Sequence, residues 1–272
     1  MKFSQTETHA HWNKLTHILQ DMKSVVVAFS GGVDSGLLSA VSYQLLNEHM
    51  LAITIHSPVD SPGEVEAAQE LALQVGFPHE VIEWNDLENH KFVENPPDRC
   101  YICKLSRLTA LQSLSRVRGF TWTLEGSNAD DSKDYRPGSR AVTELGVRSP
   151  LAEAGLSKSE IRTMAKQLGI KIWDKPSAPC LATRFPYGTP ITKEGLDQVR
   201  MAETFLHNHN FTQVRVRHDG KIARIEVMPD EITRLVDMRQ ELLSYLKGIG
   251  YQYITLDLQG YRQGSMNEVL GK

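Results

Sequence analysis

Two sets of residues in this chain have types and spacing suited to chemistry. The first is Ser30-Gly31-Gly32-Val33-Asp34-Ser35, which follows the apolar run Val25-Val26-Val27-Ala28-Phe29 and opens into an apolar-periodic stretch from Gly36 to Leu46. A strand, a Gly-Gly turn lined with hydroxyls and a helix start make an anion cradle. The glycines let the backbone approach closely, exposed N–H groups point at the ligand, and the helix dipole favours negative charge. The loop lacks the lysine of a G-x-x-x-x-G-K-[ST] motif and the triple glycine of a dinucleotide fingerprint. Asp34 would repel phosphate unless it binds loop amides or a bridging Mg²⁺. The second set is the cysteines. Cys100 and Cys103 are separated by two residues, so both sulfurs can reach one metal ion or cluster, and Cys180 lies far along the chain. Three thiolates on a four-iron cluster would leave one iron open to an exogenous sulfide. A closed zinc site would need a fourth ligand such as His56 or His90. The Cys-x-x-Cys spacing also suits a redox pair, and plain buried cysteines would need no chemistry at all.

The elements that must position these residues are legible in outline. Strand-like runs at Val25–Phe29, Leu51–Ile55, Glu80–Glu83 and Thr121–Leu124 alternate with helical periodicity, which predicts an α/β fold with a parallel sheet. Ser61 and Glu64 form a capping box ahead of a helix from about Pro62 to Val75 that Gly76 stops, and a second box, Ser157 with Glu160, opens another helix. Pro96-Pro97 breaks the periodicity up to Cys103, and a helix from about Lys104 to Arg116 follows. Ligands of open parallel sheets gather beyond the carboxyl ends of strands, where both Ser30-Gly31-Gly32 and Gly126-Ser127-Asn128 fall.

Beyond a Pro-rich stretch from Pro176 to Pro190 the pattern changes to a small α+β unit. It holds a helix near Glu194–His207, strands at Gln213–Arg217 and Ile222–Val227 joined by a hairpin signal, a helix from about Asp230 to Lys247, and a strand at about Tyr253–Leu258. The expected division is residues 1–188 for the nucleotide domain and 189–272 for a smaller domain serving substrate or assembly. Arg215 and Arg217 fall on one strand face, Arg224 and Glu226 on one face of the next. They could pair across a solvated sheet, or Arg215 and Arg217, with Arg184, could grip a phosphate or carboxylate. Asp130, Asp131 and Asp134 follow a strand end and suit either a solvated loop or ribose and Mg²⁺ contact.

Composition sets bounds. A 272-residue chain with 40% hydrophobic and 23% charged residues is an ordinary globular one. Its formal charge of −3 offers no long-range pull on nucleic acid or an anionic membrane. No apolar window has signal-peptide or bilayer-spanning length, and three cysteines are an odd count for a disulfide framework, so a cytoplasmic protein is expected.

The strand–loop–helix around Ser30–Ser35 looks like the PP-loop of the ATP pyrophosphatases, which release pyrophosphate from ATP and leave AMP on a substrate. A larger set resembles the LarE-type sulfur transferases through nearly the whole chain. It comprises that loop, Glu125–Asp131, Asp134–Gly138, Arg148–Leu151, Pro179–Gly188, Arg215–Arg217 and Gly260–Asn267. The resemblance implies a role in making the nickel-pincer nucleotide cofactor of lactate racemase-type enzymes. ATP would activate the carboxylates of pyridinium-3,5-biscarboxylate mononucleotide, and sulfur would displace AMP to give thiocarboxylates. Carried onto this chain, it implies ATP and Mg²⁺ at Ser30, Gly31, Gly32, Asp34, Ser35, Gly126 and Asp130, and substrate at Arg184, Arg215, Arg217, Glu203 and Glu226. Catalytic roles fall to Asp34 and Cys180.

In the best-known form of the family the single cysteine matching Cys180 surrenders its own sulfur. Here Cys100 and Cys103 join it, resembling a branch with a [4Fe–4S] cluster on three thiolates and a sulfide donor. The resemblance also implies a homo-oligomer, a hexamer. The rivals are a transfer-RNA thiolation enzyme, which should carry a basic face or an added RNA module, and an ammonia-using synthetase, which needs no cysteines.

Overall fold

The structure is a computed structural model that describes residues 6–133, 137–174, 179–262 and 264–270. Asp134, Tyr135 and Arg136, the stretch 175–178 and Gln263, all within segments that carry the sequence motifs, lie outside the described residues. The chain forms two compact units: residues 1–57, 62–84 and 98–178 in the first, and residues 58–61, 85–97 and 179–272 in the second.

The first unit is built on four parallel strands, β1 (Val25–Ala28), β2 (Met50–His56), β3 (His79–Glu83) and β4 (Trp122–Leu124), in the order β3-β2-β1-β4. Val25 of β1 pairs with Met50 on one side and Trp122 on the other. Side chains alternate across a strand, so Val25 and Val27 face one way and Val26 the other. Val25 and Val27 join a core with Leu15, Leu19, Leu37, Leu38, Ile161 and Met164, whereas Val26 meets Leu108, Leu111 and Val142. Both faces of the sheet are therefore covered, which is why β1 reads as an unbroken apolar run. From β1 the chain winds outward through β2 to β3, then returns to β4 on the other side. That reversal puts a crevice beyond the carboxyl ends of β1 and β4, the place where such sheets bind ligands.

The helix after β3 begins earlier than its apolar periodicity suggests. It runs Arg99–Val117, not from Lys104, so Cys100 and Cys103 lie in its first two turns. The break ends at Pro96-Pro97, and of the first turn, Arg99-Cys100-Tyr101-Ile102, only Arg99 is buried, so no apolar period marks the start.

The second unit carries a three-stranded sheet, β5 (Arg215–Asp219), β6 (Ile222–Glu226) and β7 (Tyr253–Leu256), antiparallel between β5 and β6 and parallel between β6 and β7. Gly220, at φ +57°, makes the two-residue turn of the hairpin. Val216, Ala223 and Ile225 face a core with Ala202 and Leu206 of helix Lys193–Asn208 and with Leu242 and Leu246. The single helix expected over Asp230–Lys247 is two, Ile232–Asp237 and Arg239–Gly248.

Candidate functional site

In the first unit the loop after β1 is tied by its own hydroxyls. Ser35 Oγ lies 3.1 Å from Ser30 Oγ, accepts the Ser30 N–H at 3.2 Å and donates to the Gly32 carbonyl at 3.3 Å. Gly31 sits at φ +69°, where a Cβ would come within 3.1 Å of Ala68 and of the Glu64 carbonyl. Gly32 is the N-cap of helix Val33–Leu46, so the loop amides and the positive end of the helix face the same point. The turn after β4 presses against it: a Cβ on Gly126 would stand 2.9 Å from the Ser35 nitrogen.

Lys158 joins the two acidic residues of this region. Its Nζ donates to Asp34 Oδ2 at 2.5 Å and its backbone N–H to Asp130 Oδ2 at 2.9 Å. Six of the positions assigned to nucleotide from the sequence (Ser30, Gly31, Gly32, Asp34, Ser35 and Gly126) thus meet in one place, with Asp130 joined through Lys158.

Beside the β4 turn lies a cavity of about 640 Å³ whose walls include Cys100, Lys104, Glu125, Asn128, Asp131 and Ser149. This is a ligand-sized space. Glu125 is its charged centre: it accepts from Lys104 Nζ at 2.8 Å, from Ser127 Oγ at 2.9 Å, and from the Ser149 hydroxyl. Burial works to raise its pKa, but the Lys104 charge and these hydrogen bonds outweigh burial and hold it below the ordinary carboxylate value. Cys100 and Cys103, three apart on the helix, share a face.

The second unit gathers the remaining residues around Cys180. Arg184 makes a bidentate pair with Glu203, at 2.9 and 2.8 Å, and its Nη1 donates to the carbonyls of Pro179 and Cys180. Glu203 also accepts the Val216 N–H at 2.9 Å. Arg217 pairs with Glu226 at 2.8 and 2.6 Å and donates to the Thr183 carbonyl and the Ser265 hydroxyl. The paired sheet is not solvated: Glu226 is 0% exposed and Arg217 5%. Arg215 differs from its neighbours. It is 8% exposed, its guanidinium lies 5.1 Å from the Tyr261 ring centroid, and its Nη1 donates to the Val214 carbonyl. Among the described residues no carboxylate pairs with it. Burial, followed by the nearby Arg184 charge, lowers its pKa.

Whether the implied groups suit these residues can be asked of the donors themselves. Asp34 and Asp130 are carboxylates, the hard oxygen donors that Mg²⁺ would require. For a cluster the donor chemistry fits, since Cys100 and Cys103 share one helix face and no disulfide is formed. Cys180 belongs to the other unit, and among the described residues no group of three or more His, Cys, Asp or Glu is gathered to hold a metal ion. His56 and His90 likewise belong to different units. No helix among the described residues is long and apolar enough to cross a membrane. Lys104 and Lys158 escaped the sequence reading because their partners are 21 and 124 residues away; Ser149 lies in a segment that carries the resemblance, but its bond to Glu125, 24 residues away, was not legible.

A covered parallel sheet with a Ser-Gly-Gly loop at its switch point defines a PP-loop ATP pyrophosphatase. Comparison with known proteins refines this. The NAD synthase family model matches residues 11–98. The chain is 42% identical over 265 residues to an uncharacterized protein of Synechocystis sp., covering 96% of this chain and 99% of that one. It is 34% identical over 259 residues to the pyridinium-3,5-bisthiocarboxylic acid mononucleotide synthase of Lactiplantibacillus plantarum, covering 95% and 94%. To the tRNA-specific 2-thiouridylase MnmA of Anaplasma marginale it is 24% identical over 195 residues, covering 57% of this chain and 49% of that protein. The chain belongs to the LarE-type ATP-dependent sulfur transferases. It is an enzyme that uses ATP.

Proposed function

We propose that this enzyme adenylates the carboxylates of pyridinium-3,5-biscarboxylate mononucleotide and converts them to thiocarboxylates. The observation that carries the reading is Arg215. Arg184 and Arg217 beside it are each matched to a buried carboxylate, while Arg215 has the Val214 carbonyl and the Tyr261 ring but no carboxylate among the described residues. A buried guanidinium so placed, in the unit that holds Cys180, suits a phosphate or a second carboxylate of an anionic substrate. The 34% identity to a synthase of the bisthiocarboxylic acid mononucleotide supports the same substrate.

A carboxylate is a poor electrophile until given a leaving group. The loop amides from Ser30 to Ser35 hold the ATP phosphates, and Asp34 and Asp130 are the oxygen donors for the accompanying Mg²⁺. A carboxylate oxygen of the substrate bonds to the α-phosphorus and pyrophosphate departs. Sulfur then adds to the acyl carbon and AMP leaves. A [4Fe–4S] cluster on Cys100, Cys103 and Cys180 would supply an open iron able to carry inorganic sulfide. Arg184, through the Pro179 and Cys180 carbonyls, fixes the backbone that presents the third thiol.

The test is anaerobic purification, assay of iron and acid-labile sulfide, and reaction with ATP, sulfide and the dicarboxylate nucleotide, read by mass spectrometry. Multiple turnover that fails in Cys100→Ala together with iron loss is expected. Full turnover in that variant would remove the cluster. A single turnover with the protein mass falling by one hydrogen sulfide would assign the sulfur to Cys180 itself.

A further inference from the structure

The C-terminal segment has no part in the proposed reaction so far, yet it folds back onto the arginines of the second unit. After β7 the Asp257 N–H donates to the Ile225 carbonyl at 2.9 Å, and the Tyr261 N–H to the Val227 carbonyl at 2.7 Å. Gly260 lies between them at φ +71°, where a Cβ would come within 2.7 Å of that same Val227 carbonyl, so any side chain there would force the turn open. The turn brings the half-buried Tyr261 to Arg215, whose guanidinium carbon is 5.1 Å from the ring centroid. Further on, the Ser265 hydroxyl accepts from Arg217 Nη2 at 2.8 Å. Arg262 is held within the segment by Glu268, at 3.2 and 3.3 Å.

The three arginines are fixed in two ways. Arg184 and Arg217 each commit two N–H donors to a carboxylate, which sets the plane of the guanidinium and also neutralises it. Arg215 meets no carboxylate in this way among the described residues, and one Nη1 donor goes to the Val214 carbonyl. An aromatic face sets a guanidinium plane by other means. It attracts the flat of the cation, while the N–H groups point outward in the plane and can still donate. A guanidinium held so keeps its charge and most of its donors, and loses less rotamer freedom when an anion arrives than one that hangs loose. Burial and the Arg184 charge outweigh the nearby Glu203 in disfavouring the Arg215 cation, so an arriving oxyanion relieves a real deficit.

We propose that Tyr261 is a positioning residue for the anion site of the substrate: its ring fixes the plane of the Arg215 guanidinium, which then offers its N–H edge to an oxyanion, phosphate or carboxylate. The C-terminal segment, turned at Gly260 and tied to Arg217 through Ser265, keeps the ring in place. That role rests on the proposed reading in which Arg215 meets an anionic substrate.

The experiment is a double-mutant cycle on the full chain, with Tyr261→Leu, Arg215→Met and the pair, and with Tyr261→Phe as the conservative variant. Calorimetry reads the binding of pyridinium-3,5-biscarboxylate mononucleotide, ribose 5-phosphate and pyridine-3,5-dicarboxylate, and steady-state thiolation supplies kcat and KM. Tyr261→Leu should weaken the mononucleotide by about three- to thirtyfold, the range a cation–π contact spans, raising KM with kcat held within about threefold. Tyr261→Phe, which keeps the ring, should stay within about twofold of wild type. In the Arg215→Met background, Tyr261→Leu should change affinity by less than about twofold, because the two losses are one interaction. The fragment that depends on Tyr261 identifies the oxyanion: ribose 5-phosphate marks the phosphate, the pyridine dicarboxylate a carboxylate. Additive losses would show that Tyr261 acts apart from Arg215 and would overturn the proposal, as would wild-type affinity for every probe in Tyr261→Leu. Pentafluorophenylalanine at position 261 keeps the shape and reverses the charge of the ring face, so it decides if the leucine variant fails to fold. It should bind the mononucleotide as weakly as leucine does, and affinity equal to that of Tyr261→Phe would overturn the proposal. A wild type that binds a fragment but not the mononucleotide would sink the substrate reading alone, with the cycle then read on the fragment. Binding of none of the three would overturn both.

Discussion

Glu125 shows how one residue couples stability to the cavity it lines. Its carboxylate is buried, and only the Lys104 ammonium with the Ser149 and Ser127 hydrogen bonds keeps its pKa below the ordinary value of 4.5. A carboxylate depressed in the folded state adds stability that is present above its unfolded pKa and disappears as pH falls through the folded one. Lys104→Met removes the charge and leaves burial opposed only by the Ser149 and Ser127 hydrogen bonds, so the folded pKa rises and this contribution to stability shrinks. At neutral pH the variant should lose about 1–3 kcal/mol, the scale of a buried group deprived of its charged partner. That deficit should close only as pH falls through the depressed folded pKa of wild-type Glu125, where the carboxylate protonates in both proteins. Urea unfolding of both proteins across that range measures the gap, and a gap independent of pH would mean the pair does not control Glu125. In the second unit Arg184 and Arg217 are each matched to a buried carboxylate, whereas among the described residues no carboxylate pairs with Arg215, the residue proposed to meet an anionic substrate.

At the scale of elements, the nucleotide loop is shaped by what presses on it. Gly126 ends the turn after β4 with its Cα so near Ser35 that a methyl group would meet backbone at 2.9 and 3.1 Å. Gly126→Ala should push the loop from its position, lowering ATP affinity by about tenfold to a hundredfold and stability by about 1–3 kcal/mol. Gly32→Ala is the control for stability, because its φ is −87° and the nearest atom is the Ser30 hydroxyl at 3.4 Å. Calorimetric ATP titration with thermal unfolding of both variants decides, and unchanged ATP binding in Gly126→Ala would end the argument. What the sequence could disclose here was local. The Ser157–Glu160 box and the Gly76 stop are read within a single turn, and the structure has both. The apolar run of β1 was equally plain. The start of helix Arg99–Val117 was hidden because its first turn buries no apolar side chain to set a period. Lys158 on Asp34 was hidden for a different reason: no periodicity reports a contact made across 124 residues.

The whole molecule is less sequential than its motifs suggest. The reading by pattern divided the chain once, at 188/189, whereas the second compact unit takes in residues 58–61 and 85–97 along with everything from 179 onwards. Asn95 is the residue that binds one of these insertions in place. It is 0% exposed, adopts φ +55°, and its side-chain amide donates to the carbonyls of Pro186 at 2.7 Å and Thr189 at 3.0 Å, while its own carbonyl accepts the Gly188 N–H at 2.9 Å. Asn95→Ala removes the donor shared by three carbonyls, those of Phe185, Pro186 and Thr189, and strains the left-handed backbone, and should cost about 2–4 kcal/mol. Asn95→Gly relieves the strain without restoring the amide, so the difference between the variants isolates the backbone share. All four tryptophans, Trp12, Trp84, Trp122 and Trp173, belong to the first unit, which makes their fluorescence a reporter for that unit alone. In urea, hydrogen-exchange protection of β5 and β6 should fall in Asn95→Ala at a lower midpoint than in wild type, with the tryptophan transition moving much less. A tryptophan midpoint that shifts by the same amount would show that the two units unfold as one cooperative body, and the second unit would then have no stability of its own for Asn95 to set.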